Sequence, residues 1–353
     1  MCGNPPGCGL YRFFTTAIFI FVTTSALAEQ GEAPDPLFQS NDTLEVTIRA
    51  PLTTLVRKRP KDDYLPGIFE YTETDGTTVS LDLEIRTRGH SRHDTCDYPP
   101  LSLNFKKSQT NETLFDKQNK LKLVIHCKFF DRFEQMVLRE YLTYRILNAV
   151  TDESFRVRLL RVTYNNTEKR KEGQVRYGFL IEHKNRLAER YDLKDLELER
   201  TSVSSIQADQ LNLTSVFEFL IGNTDFSPIA GAPGDECCHN YVLFGKDDSP
   251  LLAIPYDFDQ SGLVDAPYAI PNPNFNIRTV RQRYYRGRCV NNGHVAASLQ
   301  KFRDAREVIY ALVNEQEGLE SRTRDRTIHY IDDFYELIDD PQAVEKKIIS
   351  RCI

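Results

Sequence analysis

Asp225, Asn240, Asp257 and Asp259 fall within one stretch, "GNTDFSPIAGAPGDECCHNYVLFGKDDSPLLAIPYDFDQSG", residues 222–262, where acids and amides interrupt apolar, strand-like runs. Asp257 and Asp259 stand one residue apart at the end of such a run, and in an extended chain alternate side chains share a face. Two carboxylates so placed suit a hard divalent cation, Mg2+ or Mn2+, which takes oxygen ligands and bridges phosphates. The same Asp-x-Asp also makes a solvated strand end or an Asx turn. Asp225, just past Gly222 in "GNTD", is placed as a general base or as a carboxylate that orients a nucleophile. Asn223 and Asp225 equally stabilise the turn that follows a helix. Asn240 opens the next strand, as a metal ligand or as a strand-start hydrogen bond.

The elements that must position this set follow from apolar spacing. Leu44 to Ile48, Gly67 to Tyr71, Val79 to Arg86, Leu101 to Phe105 and Leu121 to His126 alternate with β-branched and aromatic residues, which predicts a twisted antiparallel sheet. Phe133 to Ala149 carries apolar residues at spacings of three and four and reads as a helix. Val157 to Tyr164 and Gln174 to Glu182 form a hairpin across "NNTEKRKEG". A second helix runs from Asp209, its expected N-cap, to Ile221, with Gly222 closing it. Short strands follow at Tyr241 to Phe244 and Leu251 to Ile254, and two helical segments close the chain from Ala296. This order reads as α+β with two lobes, and a cleft between lobes is the usual place for a ligand.

Helix, Gly-Asn-x-Asp loop, Asn, strand, turn, strand, Asp-Phe-Asp is also the order of parts in protein-kinase-like phosphotransferases. Through "LEIRTRGHSR", "KLKLVIHCK", "VLREYLTYRIL", "RVRLLRVTY", "YGFLIEHKNRLAERY", "FLIGNTDFS", "HNYVLF" and "PYDFDQSGLVDAPYA", residues 83–269, the chain resembles the spore-coat protein H-like family of atypical kinases, especially its exported bacterial members. The resemblance implies a two-lobed protein-kinase-like fold, with a strand-rich N-lobe over 44–185 and a mainly helical C-lobe over 186–353. It implies ATP with Mg2+ or Mn2+ as cofactors, Asp225 as the catalytic-loop acid, and Asn240, Asp257 and Asp259 as metal ligands. Arg86, Arg88, Gly89 and Arg92 would form the phosphate-covering turn, which reads equally as a plain surface turn. The phosphate-binding lysine is Lys122 or Lys106, with Lys122 preferred and Glu140 as its helix partner. Ile181, Glu182 and His183 would meet adenine through backbone groups.

The chain departs from ordinary kinases in three ways: a long Pro/Gly/Cys loop separates Asp225 from Asn240, Asp-Phe-Asp replaces Asp-Phe-Gly, and neither His-Arg-Asp nor a Gly-x-Gly-x-x-Gly loop is present. The implied activity is metal-dependent phosphotransfer to a hydroxyl of a protein or surface polymer. Nucleotidyl transfer by the same parts and a non-catalytic envelope or surface assembly role stay open beside it, while the element order speaks against a sugar-nucleotide glycosyltransferase.

Composition sets the remaining bounds. Among 353 residues, 40% are hydrophobic and 27% charged, ordinary values for a folded chain, and the net charge of -6 speaks against bulk nucleic-acid binding. Residues 1–28 read as a secretory signal: Arg12, an uncharged run from Phe13 to Thr24, and Ser25-Ala26-Leu27-Ala28 before Glu29. That run is too short to span a bilayer, so the reading is an exported protein, periplasmic or extracellular, without stable membrane insertion after cleavage. Residues 29–43, polar with two prolines, read as a flexible lead-in. Cleavage leaves Cys96, Cys127, Cys237, Cys238, Cys289 and Cys352, an even set for which disulfides are the default. The favoured pair is Cys96 with Cys127, brought together by strands at 101–106 and 120–127. Cys289 is the expected partner of Cys237 or Cys238, whereas a zinc site at Cys237, Cys238 and His239 lacks a C-x-x-C spacing.

Overall fold

In β1 (Leu44–Ala50), Leu44, Val46, Ile48 and Ala50 are buried while Glu45 and Arg49 face solvent. The same period of two runs through β2 (Leu65–Thr72) and β3 (Thr78–Thr87), as a strand with one face on a core requires. The computed structural model describes residues 1, 3, 31–73, 75–170, 173–231, 237–246 and 249–353. The signal reading, which rests on residues 4–28, lies outside the described residues.

The short helices α1 (Leu52–Lys58), α2 (Ser91–Thr95) and α3 (Lys107–Thr110) connect the early strands, and the 20-residue α4 (Asp131–Val150) follows them. With β4 (Leu101–Phe105), β5 (Lys120–Val124), β6 (Val157–Asn166) and β7 (Gln174–Ile181), the strands close into a barrel in the order β1-β2-β3-β4-β5-β7-β6. Every neighbouring pair is antiparallel except β1 with β6, which run parallel from Leu44 opposite Leu160 to Ala50 opposite Asn166. Inside, Phe69, Tyr71, Phe105 and Phe115 pack with ring centroids 5.0–5.5 Å apart.

The chain continues through α5 (Lys184–Arg190), β8 (Lys194–Asp195), α6 (Ala208–Ile221), β9 (Tyr241–Gly245) and β10 (Leu252–Pro255), whose strands make a small sheet ordered β10-β9-β8. Four helices rather than the expected two complete it: α7 (Val295–Asp304), α8 (Arg306–Asn314), α9 (Ser321–Asp339) and α10 (Pro341–Lys347). Gln207 occupies the N-cap position of α6. Asp209 therefore falls in the first turn, where a carboxylate still favours the helix dipole.

The two-lobed protein-kinase-like fold is not what the chain adopts. Parallel pairing of β1 with β6 turns the expected twisted antiparallel sheet into a closed, mixed barrel. Nor do separate lobes follow. Leu160, Val162 and Leu180 point into the barrel, whereas Val157, Leu159, Phe179 and Ile181 on its outer wall share one core with α4, α6 and the C-terminal helices. An α-helical layer thus packs on the barrel wall.

The stretch expected as a lead-in is docked from Asp35 onward. Asp35 accepts hydrogen bonds from Arg186 Nε and Nη2, both at 2.7 Å, and from Gln118 Nε2 at 2.7 Å, while Leu37 and Phe38 are buried against the barrel core. Cys96 and Cys127 form a disulfide as expected, with Cα atoms 4.6 Å apart. Cys289 pairs with Cys352 instead of Cys237 or Cys238, because Ile353 donates to the Gly287 carbonyl and lays the chain beside Cys289. Cys237 and Cys238 are bonded to each other. Among the described residues no helix is long and apolar enough to cross a membrane.

Leu37 has no exposed surface, so Leu37→Ala should destabilise the chain by about 3 kcal/mol in urea unfolding. A change below about 0.5 kcal/mol, the range of surface substitutions, would show that this segment does not belong to the folded core.

Candidate functional site

The helix α6 is buried on nearly all faces and ends at Gly222, whose φ of 67° is left-handed and whose Cβ position is occupied by the Tyr330 hydroxyl. Beyond that turn, Asn223 Oδ1 accepts the Asp225 amide at 2.9 Å. The Asp225 carboxylate then receives His239 Nε2 at 2.8 Å and Asn240 Nδ2 at 3.2 Å, and Asn240 Nδ2 also reaches the Asp225 carbonyl at 2.6 Å. His239 is held above the usual histidine range by this hydrogen bond, with burial opposing it.

Pairing Tyr241 with Pro255 puts Asn240 and Asp257 at the same end of the β9–β10 hairpin, where the Tyr256 amide donates to the Asn240 carbonyl at 3.0 Å. Both residues have left-handed backbones, Asn240 at φ 56° and Asp257 at φ 64°. Such conformations persist in non-glycine residues only where surrounding contacts over-determine them. One such contact is the Tyr144 hydroxyl on α4, which accepts the Asp257 amide at 2.9 Å.

The barrel supplies the cations. Arg86 lies opposite Ser102, Ser102 opposite Lys122 and Lys122 opposite Ile181, so this row shares one face of the wall. Lys122 lies in a cleft, open to water yet crowded by protein, with its ammonium 4.9 Å from the Tyr256 ring centroid. Burial and then the charge of Arg88 push it down to about 8, while Asp257 opposes them. Arg88 donates from Nε to the Leu101 carbonyl at 3.1 Å. Burial lowers its pKa, and Asp257 is the chief counterweight. Gly89, at φ 89°, makes the turn that follows.

Arg92 on α2 is buried. It bonds Glu140 at 3.1 Å and the Ile125 carbonyl at 2.7 Å, and its Nε lies 4.0 Å from Asp259. Glu140 is pushed up to about 7, by burial first, with Arg92 opposing. Asp259 is raised well above the carboxylate range by burial and by Asp257. The expected Lys122–Glu140 pair is therefore replaced by Arg92–Glu140, because Arg92 reaches inward from the α2 turn. Lys106, the other candidate lysine, lies beyond the opposite end of β4 from Arg88, exposed and 3.7 Å from Asp82. Arg86 stacks over Tyr64 at 5.1 Å.

Ile181, Glu182 and His183 line a cavity of about 240 Å³ with Phe155, Val242 and Tyr256, at whose edge Lys122 also lies. The Glu182 side chain is a buried strut. Its carboxylate pairs with Arg190 at 3.1 Å and accepts the Arg156 amide at 3.0 Å, while its own amide donates to the Arg156 carbonyl. The His183 carbonyl is taken by the Arg186 and Leu187 amides.

Asp257 is the common electrostatic neighbour of Arg88, Lys122, Glu140 and His239, and so joins the cationic row to the Asp225 cluster. Four residues that sequence reasoning missed belong here. They are His239, which holds Asp225, Tyr144, which holds the Asp257 amide, Tyr256 under Lys122, and Tyr268, beside Asp259. The adjacency of His239 to Asn240 was the one available signal.

Among the described residues no group of three or more His, Cys, Asp and Glu is close enough to hold a metal ion. The donors that fit are fewer. Asn240 spends its Nδ2 on Asp225, which leaves Oδ1 as an acceptor at the end of the hairpin that also carries Asp257, and a carboxylate with an amide suits Mg2+ when phosphates and water complete the shell. Asp259, turned toward Arg92 and Tyr268, is poorly placed to add a third ligand. No family model matches the chain, and no curated protein matches it.

Under the Asp225 loop lies Glu218, only 1% exposed, with Asn223 and Tyr241 beside its carboxyl but outside hydrogen-bonding geometry. Burial pushes it up to about 8. The folded state thus keeps a proton that the unfolded chain releases near 4.5, so this group's contribution is full at low pH and is lost as pH rises toward about 8. Glu218→Gln, a neutral isostere, should remove that slope and gain roughly 3 to 4 kcal/mol over the wild type at pH 8 relative to pH 5. Parallel stability profiles for the two proteins in urea titrations at both pH values would rule out a protonated Glu218.

Proposed function

We propose that this chain is a metal-dependent phosphotransferase that moves a phosphoryl group from ATP to a hydroxyl of a protein or surface polymer. The observation that carries the reading is the position of Asp257, between the Lys122–Arg88 cations and the Asp225–His239–Asn240 cluster, beside an open cavity with an aromatic wall. The resemblance carried by segments between residues 83 and 269 supports it. The cavity suits a nucleobase stacked near Tyr256. Lys122 and Arg88 would then neutralise phosphate oxygens at its mouth, and the Gly89 turn would let backbone amides approach them.

Asp257 and Asn240 Oδ1 would hold Mg2+ or Mn2+, which supplies neutralisation of phosphate charge when bound. Asp225, its side chain 42% exposed, is reachable by an acceptor hydroxyl and would take its proton, oriented by His239 and the Asn223 turn. Positioning and electrostatics would supply most of the catalysis. The two long-range disulfides fit an oxidising compartment, so the proposed location is periplasmic or extracellular.

One observation favours a second reading, a nucleotide-binding assembly protein without transfer: Glu140 pairs with Arg92 and leaves Lys122 on Tyr256. Thermal unfolding with ATP and Mg2+ or Mn2+ tests both. Binding at 100-fold over Kd should stabilise the chain by about 2.7 kcal/mol, and Asp257→Asn should abolish the metal-dependent part. If no nucleotide gives a metal-dependent shift, both readings fail. If binding holds, Asp225→Asn should keep it while lowering phosphate transfer to envelope polymers about 100-fold or more. Binding without any transfer leaves the assembly role.

Tyr144→Phe removes only the hydroxyl that fixes the Asp257 amide. It should raise the ATP–Mg2+ dissociation constant roughly tenfold, near the upper end for one hydrogen bond. Unchanged affinity would mean that other contacts suffice to hold the Asp257 backbone.

A further inference from the structure

From Ile270 to Cys289 the sequence carries five arginines and no acid. This segment is fastened to the Asp225 loop. Asn272 Nδ2 donates to the Thr224 carbonyl at 3.2 Å, and Arg286 Nη1 donates to the same carbonyl at 2.9 Å and to that of Phe226. The Arg286 guanidinium lies over two rings, 4.4 Å from the Phe226 centroid and 4.8 Å from that of Phe275, and Phe275 stacks in turn on Tyr284 at 4.6 Å. A ladder of rings and one cation thus leads from the buried Phe226, next to Asp225, to the half-buried Phe275 and Tyr284.

Burial alternates where the segment returns: Tyr285 and Gly287 are buried, whereas Tyr284, Arg286 and Arg288 are partly exposed. Alternate residues of an extended chain share a face. Arg288, extended at φ -83° and ψ 131°, therefore emerges on the side of Arg286, and its charge adds to burial in lowering the Arg286 pKa. Arg281 and Arg283 are engaged, one with Asp265 at 3.5 Å and the other with the Leu220 carbonyl at 3.0 Å. The side chains of the half-buried Arg288 and the exposed Arg278 make no hydrogen bond or ion pair, and the amides of Asn274 and Asn276 are equally unpartnered. Of the carboxylates whose charge reaches Arg286, Glu218 is buried and Asp225 is the acid of the site itself. Asp265 is spent on Arg281 and Arg326.

A guanidinium held half out of water without a partner suits a carboxylate, which it meets in planar, charge-assisted pairs. The free amides of Asn274 and Asn276 suit main-chain peptide groups, and the Phe275–Tyr284 pair suits side chains, contacts that a string of phosphodiesters would not use. We propose that the acceptor is an acidic polypeptide, whose serine or threonine hydroxyl reaches Asp225 while neighbouring carboxylates pair with the unengaged arginines, Arg288 foremost. This rests on the phosphotransfer reading, of which it names the substrate. In the transfer the acceptor oxygen bonds to the γ-phosphorus as the bond from that phosphorus to the β–γ bridging oxygen breaks. ADP leaves, and the hydroxyl proton passes to Asp225.

The test uses the whole chain and labelled peptides that carry one serine flanked on each side by two glutamates, two glutamines or two lysines. Fluorescence anisotropy reads binding without nucleotide, and radiolabelled ATP with Mg2+ reads transfer. The glutamate peptide should bind about tenfold more tightly than the glutamine one, as for a few solvent-exposed charge contacts, and be phosphorylated with the lower KM. Arg288→Glu should turn the preference toward the lysine peptide, an outcome that mere loss of structure does not give. Arg278→Glu, at an exposed position, carries the same test should Arg288→Glu not fold. Equal binding of the three peptides, an unchanged preference in both variants, or tighter binding of poly(glycerol phosphate) than of the glutamate peptide would overturn the proposal. Transfer that ignores the flanking charge would also overturn it, and the phosphotransfer reading would stand without it. A glutamate preference in a chain that shows neither metal-dependent ATP binding nor transfer would sink the phosphotransfer reading, and the acceptor role with it.

Discussion

The parallel seam between β1 and β6 is the constraint on which the rest of this structure depends. Without it the N-terminal strands would form an open sheet with two edges. With it they close, and each outward row becomes fixed against its neighbours. That register puts Arg86, Ser102, Lys122 and Ile181 in line, and so brings a lysine to the cleft from one strand and apolar groups from the next. It also leaves β6 and β7 with two apolar faces, one lining the barrel interior and the other receiving α4 and the helices beyond it.

Around that frame the buried charges are arranged as a graded set. Arg92 ties the α2 turn to α4 through Glu140 and to the Ile125 carbonyl, so the turn carrying Arg88 and Gly89 is anchored from below. A buried pair of this kind contributes little net stability but makes loss of either partner expensive, which fixes geometry more than it adds energy. Asp257 is the half-buried counterpart. Its left-handed backbone and its tie to Tyr144 hold it where the fields of Arg88, Lys122 and His239 meet. The barrel, α4 and the β9–β10 hairpin thus each contribute one side of the site.

Much of this was legible in the sequence, and what was not has physical causes. Alternation located all five early strands and the β6–β7 hairpin, and apolar spacing located α4, because these are local periodicities. Gly222 marked the end of α6 for a local reason too, the left-handed turn that the Tyr330 hydroxyl crowds. The seam was invisible, since Glu45 and Arg161, which meet across it, lie 116 positions apart, and no local pattern distinguishes a parallel partner from an antiparallel one. Glu140 meets Arg92 rather than the expected Lys122, because helical position tells which way a side chain points and not which cation reaches it first. Asp225 and Asn240, joined by hydrogen bonds, and Asp257, at the same end of the β9–β10 hairpin, lie in one short stretch of sequence. His239 and Tyr144 were not legible, since each acts through a contact between separate elements, His239 on the Asp225 loop and Tyr144 on the Asp257 amide.

The same seam governs how the chain can assemble in time. As the polypeptide emerges, β1 finds β2 almost at once, but its other edge has no partner until β6 has been made and α4 has turned the chain back. Through that interval the barrel is an open sheet with bare amides along β1 and β5 and an apolar inner face, the state most prone to pair with another chain. Its last ring of hydrogen bonds is therefore a late, long-range event, and any factor that keeps the nascent chain apart from its neighbours has both of these strand edges to protect.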